Sequence, residues 1–287
     1  MDYPMNTLRC PSIHVIACDL DDSLVATLRN VESSRRASDD ALHRLGSLVT
    51  DLRDQGNQPV YFGSATGRTF ASIQALAMKR PAFGDIFNMM DFHIASVGAA
   101  IYARRGSAAS FTRLTTWPKP QSWSRTALAD RLSAHPDLTL QEPEAQDMYK
   151  ISYSTNSTTN TPAYVADLQS HLDATDLPAN VIVSGGGSWR FVDVLPVGID
   201  KGSALLRLPE LLEDSFPESP ICRVAAGDSM NDEALLAVAD MAIMPGNAQP
   251  DLLEWAAKSQ RAGSLYIADE RFAAGVLQGL QRHLYGS

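Results

Sequence analysis

Two short acidic clusters stand far apart in the chain, Asp19-Leu20-Asp21-Asp22-Ser23 and Gly227-Asp228-Ser229-Met230-Asn231-Asp232. Between them come a hydroxyl-bearing turn, Ser64-Ala65-Thr66-Gly67-Arg68, and the pair Lys201-Gly202. These residue types are the parts of a Mg²⁺-dependent phosphoryl-transfer site. Asp19 can attack phosphorus to form an aspartyl-phosphate. Asp21 can protonate the leaving alkoxide and then deprotonate the hydrolytic water. The hydroxyl and free amides of the Thr66-Gly67-Arg68 turn suit phosphate oxygens, and the Lys201 ammonium can neutralise developing charge and position the nucleophile. Asp228 and Asp232 stand four apart at an expected helix start, on one helix face. They repel each other unless a cation lies between them or the helix dipole offsets the cost. Hard carboxylate oxygens completed by waters and phosphate describe a Mg²⁺ site. Asp228, at a strand end, is its more direct ligand, while Asp232 and Asn231 are placed to hold waters, Lys201 or the substrate.

Each cluster alone also has an ordinary structural reading: a solvated acidic turn, a hydroxyl helix cap, a surface lysine, acids at a helix N-terminus. Their shared position argues against all of these holding together. Each acidic or hydroxyl cluster follows an apolar run, where doubly wound sheets place their ligands.

The elements that must position them alternate. Ile13–Cys18 reads as a buried strand. Ser38 is the expected N-cap of a first helix carrying Leu42, Leu45, Val49 and Leu52 at helical spacing, with Gly56 as its stop. Pro59–Ala65 reads as a strand, Thr69–Arg80 as a helix ended by Pro81, and Phe92–Ser96 as a third strand. The middle changes rhythm to helix-strand-strand, twice: Ser122–Ala134, Leu138–Gln141 and Met148–Thr155, then Pro162–Leu172, Asn180–Ser184 and Trp189–Val194. Gly185-Gly186-Gly187 is explained as a hairpin turn between the last two strands. Trp117–Pro120 and Leu195–Gly198 punctuate the ends of this unit as hinges. After Lys201 the α/β rhythm returns, with a helix at Ser203–Leu212, a strand at Ile221–Ala226, a helix at Asn231–Ala239 and a strand at Met241–Met244. Helices near Pro250–Ala257 and Arg271–Leu284 close the chain. The expected fold is α/β, a doubly wound, mostly parallel sheet built from residues 1–115 and 197–287, with an α+β cap inserted at 116–196.

The 287 residues carry a net charge of -9, which argues against nucleic acid or an anionic membrane as partner. A phosphorylated substrate then needs local cations. Cys10, Cys18 and Cys222 have no metal-ligand spacing, Cys18 and Cys222 lie in apolar strand-like runs, and all three are expected as free thiols in a reducing cytoplasm. No apolar run approaches the roughly 20 residues of a membrane span. Monomer and dimer both fit.

The four segments resemble the motifs of the haloacid dehalogenase superfamily of phosphatases, across nearly the whole chain. A cap between the second and third motifs resembles the subgroup of sugar phosphatases. Asp193–Pro196, Gly227–Asp232 and the Lys150-Ile151-Ser152-Tyr153 strand look most like its sucrose-phosphate phosphatase branch. The resemblance implies that Asp19, the Asp21 carbonyl and Asp228 hold Mg²⁺, that Thr66, Gly67 and Lys201 grip the phosphoryl group, and that Lys150 contacts sugar or phosphate. Asp22 and Ser23 depart from the Gly-Thr common at these places, and Val25–Ala37 is longer and more polar than expected before a first helix. The expected activity is hydrolysis of a small sugar phosphate. Kanosamine-6-phosphate or glycosyl-3-phosphoglycerate phosphatases, a phosphosugar mutase and a non-catalytic sugar-phosphate sensor are the alternatives. A dehalogenase has no use for Asp21, and a signalling receiver domain is about half this length.

Overall fold

The computed structural model describes residues 13–55, 59–104, 110–120, 122–133, 135–155, 161–174, 176–185, 190–211, 220–259, 261 and 264–285. Every residue of β1, Ile13–Cys18, is buried, as a run apolar on both faces demands of a central parallel strand. On one side β1 pairs in parallel with β2 (Val60–Ala65), followed by parallel β3 (Phe92–Ala95) and antiparallel β4 (Ala100–Ala103) and β5 (Thr112–Arg113). On the other side β1 pairs in parallel with β10 (Ile221–Ala226), then come β11 (Met241–Met244) and β12 (Leu265–Ile267). The chain thus leaves β1 in both directions across an eight-stranded sheet. Such a switch point opens a crevice at the carboxyl ends of its strands.

Helices cover both faces. On one, α1 (Glu32–Gln55), α2 (Phe70–Lys79), α3 (Pro81–Met89) and α9 (Phe272–Tyr285) contribute to a core with Ile16, Phe62 and Val224. On the other, α6 (Lys201–Leu211), α7 (Glu233–Val238) and α8 (Pro250–Lys258) pack on Val15, Ala17 and Ala225. Among the described residues no helix is long and apolar enough to cross a membrane.

The inserted unit has its own four-stranded antiparallel sheet, ordered β6 (Thr139–Leu140), β7 (Ile151–Thr155), β9 (Arg190–Pro196), β8 (Ala179–Ser184). Helices α4 (Arg125–Leu132) and α5 (Thr161–Asp173) bury Leu128, Leu132, Leu168 and Leu172 against one face, with Ile151, Tyr153, Val192 and Val194. The other face is left for the crevice. Val97, Ala99, Leu195 and Ile199 form a small core at the junction of the two units.

Several expectations are corrected. The first helix starts at Glu32, six residues before Ser38, so half of the polar stretch Val25–Ala37 is helical. Ser38 is no cap: it is buried, and its hydroxyl donates to the Leu24 carbonyl at 2.9 Å. Pro81 does not simply end a helix, because its preset φ opens α3 immediately after α2. Strands β4, β5 and β12 are short and left no clear alternation. The helix expected at Asn231–Ala239 begins as a 3₁₀ turn, Met230–Asp232. The hairpin reading of the glycines agrees with β8–β9 pairing, while Gly186, Gly187, Gly56 and Cys10 lie outside the described residues. Cys18 and Cys222 are free and buried.

Candidate active site

In register, β1, β2 and β10 end level, with Cys18 opposite both Ser64 and Ala226. Asp19, Thr66 and Asp228 therefore leave the sheet side by side. The Asp19 amide still donates to the Ala226 carbonyl at 2.8 Å, so the carboxylate starts from a fixed backbone. The chain then turns tightly, with the Leu24 and Val25 amides donating to the Leu20 carbonyl at 3.0 and 2.7 Å.

Lys201 opens α6 and is completely buried. Its ammonium donates to Asp19 Oδ1 at 2.8 Å, Asp232 Oδ1 at 2.6 Å and Asn231 Oδ1 at 3.0 Å, which uses all three of its protons. Asp232 Oδ2 accepts from the amides of Asp228 and Ser229, both at 3.1 Å. Asp232 therefore folds back over its own turn, and the expectation that Asp228 and Asp232 share a helix face is corrected. Gly227 leaves room for this, since a Cβ there would lie 2.4 Å from that of Asp232.

Asp228 accepts from the Ser23 hydroxyl at 3.0 Å, so the hydroxyl kept at the departing position is used. The carboxylates of Asp19, Asp228 and Asp232 approach within 4.8 Å of one another, all buried. One ammonium faces them among the described residues. Burial above all, opposed by Lys201 and reinforced by Asp232 and Asp21, pushes the Asp19 carboxyl up to about 8. Burial, with the charges of Asp19 and Asp232, drives Asp228 in the same direction. Charges raised in this way bind either protons or a cation. A divalent ion with a preference for hard oxygen donors fits Asp19 and Asp228. Asp232 lies in the cluster, but both of its oxygens are already engaged, which suits it to fixing Lys201.

Asp21 points elsewhere than Asp19. Its two oxygens accept from Arg68 Nε and a terminal guanidinium nitrogen, both at 2.7 Å, and Arg68 also donates to the Ser72 hydroxyl at 2.9 Å. The Thr66 hydroxyl, buried, accepts from the Arg68 amide at 3.2 Å. Lys150 lies across the crevice on the inserted unit, just before β7. Its ammonium donates to the Gly67 carbonyl at 3.1 Å and to Asp193 at 3.3 Å, and thus ties the two units together. Asp193 accepts from Ser152 at 2.5 Å. The structure thus brings Asp19, Asp21, Thr66, Gly67, Arg68, Lys150, Asn231 and Asp228 to one cavity of about 780 Å³, with Lys201 and Asp232 beneath its floor.

Sequence reasoning passed over Asp193 and Ser152 as site residues, although they line this cavity. A signal existed: a carboxylate between Val192 and Val194 in an apolar strand needs a buried partner. That Ser152 is its cross-strand neighbour could be seen only with the register known.

Residues 13–284 match the family model of sucrose-6F-phosphate phosphohydrolase. The chain belongs to that family. A probable sucrose-phosphatase of Arabidopsis thaliana is 29% identical over 96% of this chain, which spans 61% of that relative. A sucrose-phosphatase of Nicotiana tabacum is 34% identical over 55% of the chain and is covered for 36% of its own length. The chain thus spans less than two thirds of these plant relatives. The mannosylfructose-phosphate phosphatase of Agrobacterium fabrum is matched almost end to end, at 26% identity over 94% of this chain and 96% of that protein. Among solved structures, a Synechocystis sucrose-phosphatase in complex with sucrose and phosphate superposes with a TM-score of 0.70 at 24% identity, covering 95% of this chain and 98% of that one. A haloacid dehalogenase-like hydrolase of Bacillus subtilis follows at 0.56 and 16% identity over 94% and 92%. The fold of this sucrose-6F-phosphate phosphohydrolase family member is accordingly the haloacid dehalogenase fold with an inserted α+β cap.

Proposed function

We propose that this protein is a Mg²⁺-dependent phosphatase of small sugar phosphates that works through an aspartyl-phosphate on Asp19. The observation that carries the reading is Lys201, buried and bound at once to Asp232 and to Asp19 at the end of the central strand β1, with Asp228 in the same acidic cluster. The ammonium holds one Asp19 oxygen and leaves the other to attack phosphorus. Thr66 and the turn at Gly67 receive phosphoryl oxygens. Asp21 gives its proton to the leaving sugar oxygen and later takes one from water. Both Asp21 oxygens are held by Arg68, so this transfer requires Arg68 to turn from Asp21 to the phosphoryl group. Asp19 and Asp228 would hold the Mg²⁺, which neutralises phosphoryl charge when bound.

Substrate choice belongs to the open face of the cap, where Lys150, Ser152 and Asp193 stand over the phosphate loop. The names of the relatives put sucrose 6F-phosphate and mannosylfructose phosphate first on the test panel. Phosphate release is to be measured across both, hexose 6-phosphates, kanosamine 6-phosphate and a glycosyl-phosphoglycerate, with and without Mg²⁺. The expected result is Mg²⁺-dependent release from a disaccharide phosphate, abolished in Asp19→Asn. Asp19→Asn keeping more than about 1% of turnover would exclude the covalent route.

A further inference from the structure

The polar stretch after the first acidic cluster has a fixed shape. Asp22 adopts φ +60°, and its carboxylate is engaged by the loop that follows it. Its Oδ1 accepts from the Thr27 amide at 2.9 Å and from Asn30 Nδ2 at 2.8 Å, and Oδ2 accepts from the Thr27 hydroxyl at 3.2 Å. The Asp22 carbonyl accepts from Asn247 Nδ2 at 2.7 Å, and Asn247 is itself held by the Phe272 amide at 2.7 Å. At its base the loop is tied again, by Ser38 to Leu24 and by Arg80 to the Ala26 carbonyl at 3.2 Å. Residues 22–30 therefore form a braced lip on the catalytic side of the cavity.

The tip of this lip carries Leu28 and Arg29, both exposed and both lining the cavity. Leu28 is 82% exposed, and two other exposed apolar side chains, Leu140 and Phe191, line the same cavity from the inserted unit. The other cavity-lining cations, Arg68 and Lys150, are committed to Asp21 and to Asp193. Arg29 has no carboxylate partner among the described residues. The cavity of about 780 Å³ lies toward the upper end of the usual range for small-ligand sites, with room beyond a single phosphorylated ring.

We infer that Leu28 and Arg29 are specificity residues for the second, non-phosphorylated ring of a disaccharide phosphate, and that Asp22 is the positioning residue that braces them. Sugar rings present C–H faces to apolar side chains and hydroxyls to a guanidinium, which matches Leu28, Leu140 and Phe191 on one hand and Arg29 on the other. The inference rests on the proposed sugar-phosphatase activity.

Sucrose 6F-phosphate and fructose 6-phosphate share the phosphorylated ring and differ by the second one, so the ratio of their kcat/KM values tests the lip. Arg29→Ala and Leu28→Ser are expected to lower this ratio about tenfold, mainly through KM for the disaccharide. Asp22→Ala should lower it as well, and Asp22→Asn should restore it, because an amide oxygen still accepts from Thr27 and Asn30. A ratio within about twofold of the parent in both Arg29→Ala and Leu28→Ser overturns the inference. If the unmodified protein releases phosphate from p-nitrophenyl phosphate but from neither sugar, the substrate reading falls and the inference with it. That failure is visible before any variant is made.

Discussion

At the scale of residues, one ammonium faces three buried carboxylates. Lys201 has all three of its protons engaged, and its removal would leave Asp19 and Asp232 buried without a counter-ion. Lys201→Met is expected to cost about 3–5 kcal/mol of stability, read by denaturant unfolding, beyond its loss of turnover. Asp19→Asn should behave in the opposite way. Its carboxyl is raised from the ordinary 3.8 to about 8 in the folded state. Stability present below about pH 4 is therefore lost progressively as pH rises toward 8, because the unfolded chain ionises freely and the folded one resists. The neutral amide avoids that loss. Metal-free Asp19→Asn should melt about 2 °C or more above the parent at pH 8, with the difference vanishing near pH 4. An unchanged melting temperature at pH 8 would refute the assignment of a raised Asp19.

Elements decide where these groups meet. Helix α6 delivers Lys201 from its first residue, and its start is seated on Gly98, which has φ +94°. A Cβ on Gly98 would lie 2.0 Å from the Asp200 carbonyl. Gly98→Ala should therefore displace the start of α6, cost at least about 1–3 kcal/mol and lower turnover although Gly98 touches no substrate. On the inserted unit, Lys150→Ala removes both the tie to Gly67 and the cation beside Asp193. Relative kcat/KM values across the sugar-phosphate panel should change by about fivefold or more; an unaltered profile would take Lys150 out of recognition. Helix boundaries near Ser38 and Pro81 were poorly legible for a local reason. Ser38 has the residue type of a cap yet is recruited by a distant carbonyl, and Pro81 fits the first turn of a new helix as well as the end of an old one.

For the whole molecule, the binding of a divalent cation should offset the repulsion that the metal-free site carries. Mg²⁺ should raise the melting temperature most at pH 7.5–8, where the acids are most nearly ionised, and a ligand at about 100 times its Kd adds about 2.7 kcal/mol. Chelation should reverse both this shift and phosphate release. The two units meet around Val97, Ala99, Leu195 and Ile199, and across the crevice through Lys150 and Gly67. Further ties join them: the Thr69 hydroxyl donates to the Glu144 carbonyl at 2.9 Å, and Asp147 accepts from Ser96 at 3.1 Å and from Arg113 at 3.0 Å.

The chain by itself pointed to phosphoryl transfer. Carboxylate, hydroxyl and ammonium groups at the ends of apolar runs have few joint uses, and the alternation of strand and helix already implied a mostly parallel central sheet. Tertiary structure decided how the groups divide their work. Asp232 turns back on the amides of Asp228 and Ser229 and holds Lys201, Asp21 is held by Arg68, and Asp22 is engaged by Thr27 and Asn30 in bracing a lip. None of these follows from spacing, because each depends on which partner a folded backbone brings within about 3 Å of a side chain that could have bonded several others.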